Sequence, residues 1–131
     1  MAGSRVANKL PINFGYMLLA VVPSLNLNAT GDTFVPFADT PTKFRVRAIA
    51  MTNGSINPTT ARFTVQTAAS AGGTAVVSSV TPSLASSAVV QDLSIASTNA
   101  FTQAYLYINV GTAQGAAATV DLYIYGDILT S

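Results

Sequence analysis

Two stretches near the end of the chain alternate cleanly between apolar and polar positions. In Ala104–Val110, Leu106, Ile108 and Val110 point one way, and Tyr105, Tyr107 and Asn109 the other. In Val120–Tyr125, Val120, Leu122 and Ile124 share a face, and Asp121, Tyr123 and Tyr125 take the opposite one. A period of two predicts strands, because successive Cβ atoms leave opposite faces of the pleat. The aliphatic face goes inward, where each fully buried side chain contributes roughly 1.5–3 kcal/mol. The tyrosines go outward and present flat rings with a hydroxyl at the tip. The linker between the runs, Gly111 to Thr119, is small and uncharged. If it forms a hairpin, pairing Val110 with Val120 sets Tyr107 opposite Tyr123 and Tyr105 opposite Tyr125. If it crosses between two sheets, the same aliphatics meet across a sandwich core.

The rest of the chain carries the same kind of punctuation. Residues 1–15 have no period and are interrupted by Pro11 and Gly15. They read either as a frayed terminus or as an extended arm toward a neighbouring subunit, since Val6, Leu10, Ile12 and Phe14 are more apolar than a solvated tail requires. Tyr16 to Val22 is a continuous apolar run that reads as a buried strand ended by Pro23, with a second short strand around Leu25 and Leu27. It follows Arg5 and Lys9 as a signal-peptide core would, but it is short and no A-x-A site comes after it, so strand is the reading adopted. Phe34 to Phe37 contains Pro36, which predicts an edge or bulged strand. Lys43 to Thr52 alternates, with Phe44, Val46, Ala48 and Ala50 on one side and Lys43, Arg45, Arg47, Ile49 and Met51 on the other. Further strands are expected at Arg62–Thr67, Thr74–Val80 and Ala88–Ile95. Eight or nine short strands separated by Gly, Pro and Asn turns predict an all-β antiparallel sandwich or barrel.

At 131 residues the chain is expected to form one domain, residues 16–131, behind the arm 1–15. Half its residues are hydrophobic, enough for a real core, but only 8% are charged against about 25% in typical soluble domains. Interspersed charge is what limits association, so this composition points to a surface covered by other protein. Abundant Ser, Thr, Asn and Ala offer the other explanation, a lone domain kept soluble by neutral polar groups. The net charge of +1 gives no broad electrostatic case for nucleic acid or an anionic membrane. No apolar run approaches the ~20 residues of a spanning helix.

Composition also narrows the chemistry. The chain has no His, Cys, Glu or Trp. There is thus no thiolate or imidazole ligand, and no His base for a serine nucleophile. The acids are Asp32, Asp39, Asp92, Asp121 and Asp127, each alone in its stretch of sequence; Asp121 and Asp127 read as turn or strand-end residues. No catalytic residue, metal ligand, cofactor site or small-molecule substrate site is expected. Lys43, Arg45 and Arg47, three of the six basic residues, line one strand face. Neighbours there are about 6.7 Å apart and repel by only about 0.6 kcal/mol per pair in water. The row is either an ordinary solvated face or a surface for an acidic partner, and Ile49 and Met51 on the same side favour partial cover. Oligonucleotide binding through these cations and the outer tyrosines is a weaker option, given so few basic residues.

Three stretches taken together carry a resemblance: A-x-L-Y-I-x-V with G-x-A-x-G-A-A-A-T-V-D-L-Y-I-Y-G at the C-terminal end, K-F-R-V-R-A-I-A-M-T-N, and the central T-A-A-S-A-G-G-T-A-V-V. Over roughly residues 33–128, in texture and order, the chain resembles the decoration, or cement, proteins of tailed-bacteriophage heads. That resemblance implies a jelly-roll sandwich of about eight strands with the last two strands in opposite sheets. It also implies a non-enzymatic virion component, made in the host cytoplasm, on the outer surface of the head. Its partner would be the major capsid protein, whose neighbouring copies it clamps, and it would act as a homo-oligomer, a dimer or trimer. The expected contact elements are the arm (Val6, Leu10, Ile12, Phe14), the basic strand face (Lys43, Arg45, Arg47, with Ile49 and Met51) and the tyrosines (Tyr105, Tyr107, Tyr123, Tyr125). Aromatic side chains are enriched at interfaces, although a half-exposed sheet face explains the tyrosines equally well. The rival expectation is a carbohydrate- or receptor-binding module of a phage tail or adhesin, since outward tyrosines suit sugar stacking.

Overall fold

The computed structural model describes residues 13–38, 41–70, 72–84 and 86–130. These contain eight strands and no helix: β1 (Asn13–Asn26), β2 (Gly31–Pro36), β3 (Lys43–Thr52), β4 (Arg62–Gln66), β5 (Ala75–Val80), β6 (Gln91–Leu93), β7 (Tyr105–Thr112) and β8 (Thr119–Thr130). They form two four-stranded sheets, a first in the order β1-β8-β3-β6 and a second in the order β2-β7-β4-β5. Every ladder is antiparallel. The pairs β1–β8, β2–β7, β3–β6 and β4–β5 are those of one long folded ribbon, and the β8–β3 and β7–β4 ladders close it into two sheets. This is the strand order of a jelly roll.

The core lies between the sheets. Leu106, Ile108 and Val110 from β7 and Val120, Leu122 and Ile124 from β8 are all buried, facing as the alternation predicts. Phe63 and Val65 join them from β4, and Phe44, Val46, Ile49 and Met51 from β3. Phe44 meets Phe37 edge-on at 4.5 Å and Phe101 at 5.8 Å, sealing one end of the sandwich. Because β7 and β8 belong to opposite sheets, no hairpin pairs Tyr107 with Tyr123. Tyr107 sits opposite Phe34 and Gln66, and Tyr123 opposite Val21 and Ala50.

Pro23 does not end its strand. β1 runs through it because β1 is an edge strand, where a missing N–H costs no ladder bond. A bulge absorbs the proline: the register slips between Val22 and Leu25, and Ser24 takes a left-handed φ of 52°. The Asp121 carboxylate on β8 holds that bulge, accepting from the Ser24 N–H at 2.7 Å. Its other oxygen accepts from Asn53 Nδ2 at 3.0 Å, and Asn53 is a second left-handed residue, φ 57°, just past the end of β3. One carboxylate thus ties both neighbours of β8. β2, with Pro36 at its last position, is also an edge strand, as the proline predicts. The strand expected over Ala88–Ile95 shortens to Gln91–Leu93.

β1 begins at Asn13, so the last three residues of the expected arm, Phe14 among them, belong to the strand ladder. Val6, Leu10 and Ile12 lie outside the described residues.

Candidate functional site: the two outer faces

A second irregularity shapes the outer face of the first sheet. On β3 the register slips between Val46, opposite Gly126, and Ala48, opposite Tyr125, so Arg47 is an extra residue. On β1 it slips between Leu18, opposite Tyr125, and Ala20, opposite Ile124, so Leu19 is extra. The two bulges flank β8 at one level. Gly126 stands between them, where an added Cβ would lie 2.0 Å from the Arg45 carbonyl oxygen and 2.9 Å from Leu19 Cδ1. Only glycine allows the strands this close.

The β3 bulge inverts the phase of the strand and overturns part of the sequence expectation. Ahead of it Phe44 and Val46 face inward; beyond it Ile49 and Met51 do, at 1% and 0% exposure. Ile49 and Met51 are therefore core residues and not part of the basic face. Ala48 and Ala50, expected inside, sit opposite the outward Tyr125 and Tyr123 instead.

The outer face of the first sheet is consequently apolar and low. In register across it run Val21, Tyr123 and Ala50 in one row, and Leu18, Tyr125 and Ala48 in the next. Leu18 and Val21 are 43% and 42% exposed, large hydrophobic side chains on a strand surface. The alanines leave the tyrosine rings standing above the centre of the sheet.

The basic row lies beside this patch, but it is not an unopposed row of cations. Asp127 is fully buried although it follows Tyr123 and Tyr125 on the outward side of β8. Arg45, directly opposite it, donates to its Oδ2 from Nη2 at 2.5 Å and from Nε at 3.1 Å. Arg47 Nη1 stands 3.7 Å from Oδ1. Both guanidiniums stay about a third or more exposed, 33% and 41%, while the carboxylate beneath them is dry. The bulge explains the convergence, since the extra residue lets two arginines of one strand reach one aspartate. With Lys43 exposed at the start of β3, the group keeps two of its three positive charges. The sequence hid this because Asp127, after Gly126, reads as a strand-end residue, whereas β8 continues to Thr130.

The outer face of the second sheet is built differently. β7 has no bulge against β2, and three cross-strand pairs share the outer side: Pro36 with Tyr105, Phe34 with Tyr107, and Asp32 with Asn109. The Phe34 ring centroid is 5.4 Å from both Tyr105 and Tyr107, and Phe34 is 53% exposed. Asp32 is held upright: Oδ1 accepts from Asn109 Nδ2 at 2.8 Å and Oδ2 from the Ser70 N–H at 2.7 Å. The four tyrosines expected to act as one surface are thus divided, Tyr105 and Tyr107 on this face and Tyr123 and Tyr125 on the opposite side of the molecule. Phe34, Leu18 and Val21 were not singled out by the sequence, because each lies in an apolar run where inward and outward positions look alike. For Phe34 the inward Val35 and the adjacent Pro36 were the available signal.

A cleft of about 360 Å³ opens between the β5 and β6 edges, where Arg62 and Asp92 are its charged lining among serine and threonine hydroxyls. Among the described residues no group of three or more carboxylates comes together to hold a metal ion. No family model matches this chain, and it finds no match among the curated proteins or among the solved structures.

Proposed function

We propose that this chain is a non-enzymatic structural protein that works by adhering to a larger protein assembly. The assembly the sequence resemblance favours is the head of a tailed bacteriophage. On this reading the sandwich sits on the outside of the shell as a cement protein, bridging neighbouring major capsid subunits, and acts as a homo-oligomer. One observation carries the choice of contact surface: Leu18 and Val21 stand exposed in register with Tyr125 and Tyr123 over a floor of alanines. Aromatic anchors in a desolvated centre with charge at the rim are the anatomy of a protein interface. Lys43, Arg45 and Arg47 supply that rim and suit an acidic neighbour, with Asp127 holding two of them in place. Val6, Leu10 and Ile12, ahead of β1, supply a further apolar contact. Many copies with modest contacts add up, because anything that binds the assembled shell preferentially stabilises it.

The test is sedimentation of the purified chain with purified phage heads from the same source. A fixed copy ratio to the major capsid protein supports the reading. A chain that stays in the supernatant at saturating concentration contradicts it. The rival reading, a carbohydrate-binding module, draws on the other sheet, where Phe34 and two tyrosines stand beside Asp32.

A further inference from the structure

We infer that the outer face of the second sheet is a binding subsite for a neutral saccharide, separate from the face proposed to dock on the shell. Two adjacent rows of the sheet differ in chemistry. One row is aromatic, with Phe34 and Tyr107 side by side and Tyr105 in contact with both. The next is polar and runs across three strands as Asp32, Asn109 and Thr64. Strand spacing sets the polar groups about 4.8 Å apart, and the pleat sets the two rows about 6.7 Å apart. A pyranose has the matching division, an apolar C–H face and an edge of hydroxyls, each of which donates and accepts.

The details of the polar row select among ligands. Asp32 is an acceptor, and each of its oxygens already takes one hydrogen bond, from Asn109 or from Ser70. A carboxylate has about four acceptor sites, so one per oxygen is left, suited to single hydroxyl donors. The Asn109 amide and the Thr64 hydroxyl complete the row with uncharged groups. Arg62, the cation that the described strands of this sheet carry, donates from Nε to Ser79 Oγ at 3.3 Å. With no cation paired to it among the described residues, the Asp32 carboxylate disfavours phosphate, sialic acid and nucleic acid. A cationic side chain of a protein partner would use Asp32 and a ring but leave Asn109 and Thr64 idle. A neutral sugar uses all of them. The two tethers on Asp32 also fix its carboxylate before any ligand arrives, which lowers the ordering cost of binding.

The experiment is a titration of the full chain with maltotetraose, cellotetraose, N-acetylchitotetraose and lactose, followed by amide chemical shifts. A sialylated trisaccharide and an arginine-rich peptide serve as counter-probes. The expected result is saturable binding of at least one neutral oligosaccharide, with shifts at Phe34, Asn109 and Thr64. Phe34→Ala and Asp32→Asn should each weaken that binding on the order of tenfold, and Tyr123→Ala, on the opposite sheet, should not. The wild-type shifts alone decide the matter if a variant fails to fold. Absence of neutral-sugar binding at 10 mM ligand (a limit of about that order, where a subsite contributes little) overturns the inference. So does binding of the peptide alone, or shifts confined to the first sheet. None of these outcomes bears on sedimentation with phage heads, so the two readings fail separately.

Discussion

The two outer faces of the sandwich come from strands of similar alternation and end with opposite characters. On the second sheet β7 and β2 stay in register, and each outward residue meets its partner: Tyr105 with Pro36, Tyr107 with Phe34, Asn109 with Asp32. The result is a regular grid, aromatic in one row and polar in the next. On the first sheet β8 is gripped by bulged neighbours on both sides, at Leu19 and at Arg47. There the regular order is broken. Two arginines converge on a buried aspartate, alanines replace large side chains at the centre, and Leu18 and Val21 stand exposed. The difference teaches that a single extra residue per strand decides which side chains a sheet shows. A bulge is also one of the ways an edge strand such as β1 is kept from pairing with another chain.

The largest effect on this contrast is expected from Arg45→Ala. Removing the better-placed partner takes the shorter ion pair from the buried Asp127 carboxylate and leaves it the longer Arg47 contact. Breaking a buried pair in this way costs about 3–5 kcal/mol, so chemical denaturation should show a large loss of stability. Replacing the partially exposed Arg47 should cost much less. Gly126→Ala comes next. Its Cβ would meet backbone, not a flexible side chain, and overpacking of that kind costs about 1–3 kcal/mol or more; the thermal midpoint should fall accordingly. If Gly126→Ala is neutral, the close approach of β3 and β8 at the bulge is wrong. Asp121→Ala should be milder, about 1–2 kcal/mol for two hydrogen bonds at a partly exposed site. Hydrogen exchange should then speed up at Ser24 while the second sheet is unaffected. Phe34→Ala should be the mildest, about 0.5–1 kcal/mol, because the ring is more than half exposed and loses chiefly its contacts with Tyr105 and Tyr107. An equilibrium melt that shows a large loss there would make Phe34 a packing residue and remove the basis for the sugar subsite.

Much of the fold was legible in the chain because alternation reports facing directly. The inward sets Leu106, Ile108, Val110 and Val120, Leu122, Ile124 are where their period puts them, and Pro36 marks an edge strand. What alternation cannot report is a slip in its own phase. KFRVRAIAMT reads as one unbroken strand, and nothing in those ten letters marks Arg47 as the extra residue that turns Ile49 and Met51 inward. The Arg45–Asp127 pair joins residues 82 positions apart, so it depends on β8 lying beside β3, a fact of topology and not of local pattern. The same holds for the tyrosines. Their outward facing was visible, but whether four rings share one surface depends on which sheet each strand joins. Pro23 was misleading for a related reason, since a proline ends a central strand but only indents an edge.

The most direct test of the docking face is to place charge in its apolar centre and count bound copies. Leu18→Asp with Val21→Asp alters two partly exposed positions on the edge strand β1; it should lower the melting temperature by about a few degrees and leave the chain folded at the assay temperature. Bound chain per major capsid protein, measured by band intensity on sedimented heads, should then fall at least tenfold, on the order of the 1.4 kcal/mol or more that two desolvated carboxylates would cost. Phe34→Ala, on the opposite face, should bind as the wild type does. Full occupancy by the Leu18→Asp, Val21→Asp double variant would contradict the assignment of this face.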